Sequence, residues 1–216
     1  MRSNKELVES LLVRDPEISK RVANAMLRID RKHFVPSDIL DRAYMDMPQP
    51  IGHGQTISAP HIHARMISDL DEHLFPGANV MDIGTGSGYV AAIMADLVGE
   101  KGHVTAVETI GELTTQAQRN LTHYPHLKER ITFVTGDGKL GYPPNAPYDC
   151  IHTGAGGKVP QPLIDQLETR GPSINSCTTP LCSTATAHPQ ERRWKVRCPT
   201  RVGCDICSSS LVFVPE

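Results

Sequence analysis

Val80-Met81-Asp82-Ile83-Gly84-Thr85-Gly86-Ser87-Gly88-Tyr89 is the stretch that decides the fold. An apolar run enters a glycine-rich turn, and Val90 to Val98 then continues with the composition of a buried helix. Glycines at alternate positions let the chain turn tightly and approach a ligand, because no Cβ blocks either move. The next apolar run, His103-Val104-Thr105-Ala106-Val107-Glu108, ends on a carboxylate 20 residues after Gly88. An acid there can accept hydrogen bonds from both hydroxyls of an adenosine ribose; the alternative is a surface acid opening a helix at Thr109. The spacing is G-x-G-x-G, without the last glycine of G-x-G-x-x-G. That leans away from a pyrophosphate cradle and towards S-adenosylmethionine, which has no phosphates to seat on a helix N-terminus.

Working outward, strands are predicted at 79–83, 103–108, 131–135 and 148–153, with helices at about 88–98, 110–122 and 160–168. Strands alternating with helices imply a doubly wound, mostly parallel sheet covered on both faces, with ligands bound beyond the carboxyl ends of its strands. Gly84–Gly88, Glu108, Gly136-Asp137-Gly138 and Thr153-Gly154-Ala155-Gly156-Gly157 all fall at such ends. Upstream, a helix is expected over Asn4–Val13. A second is expected from Asp15-Pro16, as cap and first residue, to about Asp30, with Ile18, Val22, Ala25, Met26 and Ile29 as its apolar stripe. Phe34 to Pro60 reads mostly as loop, and a loop that long inside a domain is usually functional or disordered. His61–Leu74 returns to helical spacing through Ile62, Met66, Ile67 and Leu70.

The 216 residues suit one domain with a sizeable core. A formal charge of −2 gives no electrostatic case for nucleic acid or an anionic membrane. No apolar run approaches the ~20 residues that span a bilayer, and the polar start is no signal peptide, so the expected compartment is the cytosol and the expected state a monomer. Five of the six cysteines (Cys177, Cys182, Cys198, Cys204 and Cys207) lie in the last 40 residues. One C-x-x-C pair with no second pair and no H-x-x-x-H partner reads as unpaired thiols rather than a zinc site, so no metal is expected. Residues 172–209 read as loop, and 210–214 as a last strand.

Pro48-Gln49-Pro50-Ile51-Gly52-His53-Gly54-Gln55-Thr56-Ile57-Ser58-Ala59-Pro60-His61-Ile62-His63-Ala64 carries more specific information. Together with Ile29-Asp30-Arg31-Lys32-His33-Phe34-Val35-Pro36, the G-D-G at 136–138 and Ala146-Pro147-Tyr148-Asp149-Cys150-Ile151-His152, it resembles the protein-L-isoaspartate (D-aspartate) O-methyltransferases, over about residues 5–171. The resemblance implies a class I, Rossmann-like methyltransferase domain over 1–171, with its helical and substrate-loop segment at 1–77. It implies methyl transfer from S-adenosylmethionine to the α-carboxyl of L-isoaspartyl residues in damaged proteins, with D-aspartyl residues as a further acceptor. The ester would then collapse to a succinimide and open partly to normal aspartate. The tail after Gly171 departs from the family pattern: Gly171-Pro172-Ser173-Ile174-Asn175-Ser176 lacks its apolar strand, and only Phe213-Val214-Pro215 echoes its end. A cofactor-binding or adaptor variant without turnover is the alternative this tail raises.

Site roles follow. Ser58 is the candidate catalytic residue by resemblance, its hydroxyl donating to a substrate carboxylate oxygen; the competing reading is an N-cap for the helix near Pro60. Gln55, Thr56, Ile57 and His63 belong to the cofactor loop by the same resemblance, with His61 a weaker candidate. Asp82 is expected to order the glycine turn of Gly84, Thr85, Gly86 and Ser87 through backbone N–H groups. Asp137 and the Gly138 N–H are assigned to adenine, with a plain turn as the alternative. Pro50, Ile51, Gly52 and His53, with Gly154 and Ala155, are assigned to the peptide.

Overall fold

The computed structural model describes residues 3–154, 160–167, 194–197 and 211–215. The chain begins with α1 (Asn4–Arg14), capped by the Ser3 hydroxyl accepting from Glu6 N at 3.2 Å. The next helix, α2 (Lys20–Arg28), starts later than Asp15-Pro16 suggests. Asp15 accepts from Glu17 N at 3.0 Å and makes a turn, and Ser19 is the cap that opens the helix. Ile18, Val22, Ala25, Met26 and Ile29 are nonetheless all buried, so the apolar stripe is right and its ends lie outside the helix. Arg21 ties α2 down: its guanidinium donates to Leu74 O, to Leu97 O at 2.7 Å and to Asp71 Oδ1 at 2.5 Å.

The region read as loop contains a hairpin, β1 (Gln49–Gly52) with β2 (Gln55–Ile57), paired antiparallel. Its reversal needs three successive residues at positive φ: Gly52 at +90°, His53 at +53° and Gly54 at +71°. The two glycines take that conformation without cost, and His53 is carried along between them. α3 (Pro60–Asp69) follows, with Met66 and Ile67 in the core.

From there strands and helices alternate: β3 (Asn79–Ile83), α4 (Tyr89–Val98), β4 (His103–Glu108), α5 (Gly111–Asn120), the single turn α6 (Pro125–Lys128), β5 (Ile131–Thr135), β6 (Cys150–Thr153) and α7 (Gln161–Asp165). β3, β4 and β5 occupy the residues the sequence predicts; β6 begins two residues late, after a bridge between Tyr148 and Leu167. α4 is apolar on nearly every side because it lies between β3 and β4 on one face and α2 and α3 on the other.

Two strands from the tail complete the sheet: β7 (Trp194–Arg197) and β8 (Leu211–Pro215), giving the order β5-β4-β3-β6-β8-β7. The first four are parallel; β8 is antiparallel to β6 and to β7. The strand expected at 210–214 is thus present, shifted by one residue. Trp194–Arg197 lies within the segment read as loop, because W-K-V-R is too short to show a period and becomes a strand through its partner. β8 covers the outer edge of β6, which would otherwise offer unpaired backbone groups. The boundary at Gly171 and the five tail cysteines lie outside the described residues. Among those residues no helix is long and apolar enough to cross a membrane, and no cluster suits a metal ion.

Ile93, fully buried on α4, and Leu140, 61 % exposed, give opposite expectations. Ile93→Ala should lower the free energy of unfolding by about 2–5 kcal/mol in a denaturant titration. Leu140→Ala should stay within about 0.5 kcal/mol.

Candidate active site

The glycine turn is seated on the neighbouring strand. Gly84 N and Thr85 N both donate to Val107 O, at 2.8 and 3.2 Å, and Gly88 N returns to Thr85 O at 2.8 Å. Gly84, Gly86 and Gly88 sit at φ of +74°, +52° and +83°. A Cβ at Gly88 would lie 3.0 Å from Ala117 Cβ, and one at Gly86 3.2 Å from Ile51 Cδ1. Ile51 of the hairpin therefore packs on the turn itself. Glu108 is buried; its Oε2 accepts from Gly86 N at 2.9 Å and its Oε1 from Ile110 N at 3.0 Å. The reading of Glu108 as a surface acid opening a helix at Thr109 does not hold: the side chain is buried, α5 starts at Gly111 with Ile110 as its cap, and the carboxylate stands against the turn.

A pocket lies between the hairpin, α3 and the turn. Thr56, Ile57, Ser58 and His63 line it from one direction, and Asp82, the backbone of Gly84 to Ser87 and Gly154 from another. Pro50, Gly52, His53 and Gln55 are exposed on the hairpin and lie outside its lining. Asp137 is exposed at the end of β5, where its Oδ1 accepts from Lys139 N at 3.0 Å and caps a 3₁₀ turn over Gly138–Leu140. Gly138 lies against Ile83, so a Cβ there would clash with that side chain. His61 turns away from the pocket to Asp46, with Nδ1 2.9 Å from Oδ1. Ala155 lies outside the described residues.

Two buried polar groups shape the pocket. Arg31, in a short 3₁₀ turn at Arg31–Phe34, is fully buried and donates from Nη2 to Ser58 O at 2.9 Å. Its Nη1 lies 3.4 Å from His63 Nδ1, and its guanidinium carbon 5.6 Å from the Tyr89 ring centroid. Burial pulls the Arg31 pKa down to about 10, so the group keeps its charge at neutral pH. A guanidinium only donates, so His63 Nδ1 accepts and the hydrogen resides on Nε2. Burial, then the Arg31 charge and the nearby His152, hold His63 well below the ordinary histidine pKa, and the ring is neutral. Burial likewise raises the Tyr89 hydroxyl above its usual range.

The second group surrounds Asp82, which is fully buried. Its Oδ2 accepts from the Thr85 hydroxyl at 2.7 Å and its Oδ1 meets His152 Nδ1 at 2.7 Å. The turn is thus ordered through the Thr85 side chain, where the sequence suggested backbone N–H groups. Ser58 is half-buried and does not cap α3: that position falls to Ala59, with no side-chain hydrogen bond. The N-cap reading of Ser58 is overturned, and its hydroxyl holds no partner among the described residues.

Arg31, Tyr89 and His152 were not singled out from sequence. His152 reaches Asp82 because the two are register partners across β3 and β6, which no local pattern reveals. Arg31 sits among polar neighbours in a segment with no period, and arginine is seldom fully buried.

Comparison with known proteins places this geometry. Residues 2–176 match the family described as protein-L-isoaspartate(D-aspartate) O-methyltransferase. The protein-L-isoaspartate O-methyltransferase of Methanothermobacter thermautotrophicus is 45 % identical over 172 residues, 79 % of this chain and 77 % of its own. That of Methanopyrus kandleri is 47 % identical over 176 residues, 80 % and 76 % of the two chains. Among solved structures, the protein-L-isoaspartate O-methyltransferase of Plasmodium falciparum in complex with S-adenosyl-L-homocysteine superposes with a TM-score of 0.71 at 29 % identity, covering 79 % of this chain and 82 % of that one. Another structure of that name gives a TM-score of 0.67 at 33 % identity, over 78 % of this chain and about half (52 %) of the other. The doubly wound, Rossmann-like architecture expected of a class I methyltransferase is the one observed. The chain belongs to the protein-L-isoaspartate(D-aspartate) O-methyltransferase family.

Proposed function

We propose that the protein transfers a methyl group from S-adenosylmethionine to the α-carboxylate of L-isoaspartyl residues in peptides and proteins. The observation that carries this reading is the meeting of Thr56, Ile57 and Ser58 with the Gly84–Ser87 turn in one pocket, in a chain of this family. The residues present suit the cofactor. Gly154 lies so close to the turn that a Cβ would stand 2.9 Å from Gly84 O, Glu108 flanks the turn, and His152 Nε2 is buried without a partner. When bound, the cofactor supplies an electrophilic methyl on a sulfonium.

An isoaspartyl α-carboxylate ionises at a pKa of roughly 3–4 and is already a nucleophile at neutral pH. The protein needs no strong base; it must orient two reactants and exclude water. Ser58 suits that task, because its hydroxyl has no capping duty and its carbonyl is held by Arg31. Donation from Oγ to one carboxylate oxygen leaves the other facing the methyl. Neutral His63 offers Nε2–H to the cofactor's amino-acid end, with Gln55, Thr56 and Ile57 beside it in the loop. Asp82 holds Thr85 in place, Glu108 takes the ribose hydroxyls, and Asp137 with the Gly138 N–H takes the adenine edge. Pro50, Gly52 and His53, with Gly154 and Ala155, seat the peptide, while Ile51, expected there as well, is buried against the glycine turn. The ester formed is attacked by the next backbone nitrogen, methanol leaves, and the resulting succinimide is opened by water to aspartyl or isoaspartyl peptide. The same reading has the protein acting in the cytosol as a monomer, on peptide rather than nucleic-acid or membrane acceptors.

Transfer from labelled S-adenosylmethionine to an isoaspartyl peptide, beside its aspartyl twin, tests the function directly. Only the isoaspartyl peptide should be methylated; equal labelling of the twin would remove the assignment. Ser58→Ala should lower kcat/KM about 10- to 100-fold, the worth of one hydrogen bond to a charged group. Affinity for S-adenosylhomocysteine should change by less than about 3-fold.

His63 makes a further prediction, on stability. Below about pH 6.5 the unfolded chain protonates this residue while the folded one does not. Its contribution is complete above that pH and is lost as pH falls towards the folded value, by at most about 1.4 kcal/mol per pH unit. Burial acts in the same direction on His33 and His103. Denaturant titrations at pH 7.5 and 5.5 should show lower stability at 5.5, and His63→Gln should narrow the gap. An unchanged gap in that variant would show that His63 does not titrate as described.

A further inference from the structure

His152 is 2 % exposed, stands beside Asp82 across β3 and β6, and lines the pocket with it. Asp82 can only accept, so at 2.7 Å the hydrogen between them belongs to His152 Nδ1. In the neutral ring Nε2 then carries a lone pair. That nitrogen is buried and has no hydrogen-bond partner. Native proteins pair nearly all such atoms, and this one belongs to a residue that lines the pocket, where a ligand can supply the missing donor. His63 is set the other way, because Arg31 can only donate to its Nδ1. With both rings neutral, a donor-only partner at His63 and an acceptor-only partner at His152 set the two pocket histidines in opposite tautomers.

An α-amino acid zwitterion needs that combination: its ammonium only donates and its carboxylate only accepts. We propose that His152 Nε2 accepts an N–H from the α-ammonium at the amino-acid end of S-adenosylmethionine, a role that rests on the cofactor reading above. Asp82 supplies negative charge next to that position. Each of its oxygens already accepts one hydrogen bond, from His152 and from Thr85, whereas His152 Nε2 accepts none. Cofactor fragments lacking the amino group would leave Nε2 unpaired, which makes His152 a specificity-determining residue.

The test uses the full chain with ¹⁵N-labelled histidine and two probes, S-adenosylhomocysteine and its deaminated analogue, which keeps the carboxylate. At neutral pH the His152 ring should be the Nδ1–H tautomer. Its Nε2 resonance should move on adding S-adenosylhomocysteine and stay in place with the deaminated analogue. This readout needs no variant. By calorimetry, His152→Leu should weaken S-adenosylhomocysteine about 10- to 100-fold and the deaminated analogue by less than about 3-fold. His152→Gln, whose amide oxygen can accept in the same place, should recover part of the loss. An Nε2–H tautomer, or equal losses for the two probes in a folded variant, overturns the proposal while leaving the cofactor reading intact. A wild-type chain that binds neither probe overturns both.

Discussion

Three glycines in five residues must take positive φ between β3 and α4, and the site depends on that constraint. A side chain would pay roughly 1–2 kcal/mol at each left-handed position before meeting any neighbour. The neighbours then add to it. Ile51 of the hairpin rests on Gly86, Ala117 of α5 on Gly88, and Glu108 at the end of β4 takes the Gly86 N–H. Hairpin, helix and strand are thereby positioned against one stretch of bare backbone. Ser58 follows that hairpin directly, so the turn that suits the cofactor also places the serine.

Arg31 supplies the second constraint from behind the pocket. A fully buried guanidinium is costly unless its donors are used. No carboxylate lies within ion-pair distance of it among the described residues; it is held instead by the Ser58 carbonyl, His63 Nδ1 and the face of Tyr89. Those contacts join the Arg31–Phe34 turn to the start of α3 and to α4. A charge held in this way favours a single arrangement of Ser58 and His63, because any other arrangement would strand the cation.

What could be read from the sequence divides along physical lines. β3, β4 and β5 were found to the residue, because apolar runs bounded by glycine and charge are local signals. The position of Glu108 beside the turn was legible because its spacing follows from one strand–helix–strand unit. The hairpin was missed, since its evidence is backbone geometry at Gly52, His53 and Gly54 rather than any apolar alternation. The later start of α2 and the failure of Ser58 to cap α3 show two capping signals outweighed by their surroundings: a turn at Asp15, and a serine held by its carbonyl. Arg31 and His152 matter through partners 32 and 70 residues away, and such pairings exist only after the sheet has formed.

The electrostatics of the pocket suit a reaction that removes charge. Transfer of a methyl from a sulfonium to a carboxylate brings a cation and an anion together and leaves two neutral groups. Excluding water favours such a step, because the reactants lose more solvation than the products. A protonated imidazole at position 63 would work against it, repelling the sulfonium and stabilising the carboxylate in its unreacted state. Burial and the Arg31 charge keep that ring neutral, so it can orient by hydrogen bonding without adding a charge. In the role proposed for Ser58, a neutral hydroxyl suits the same chemistry: it can hold one carboxylate oxygen in place without neutralising the nucleophile beside it.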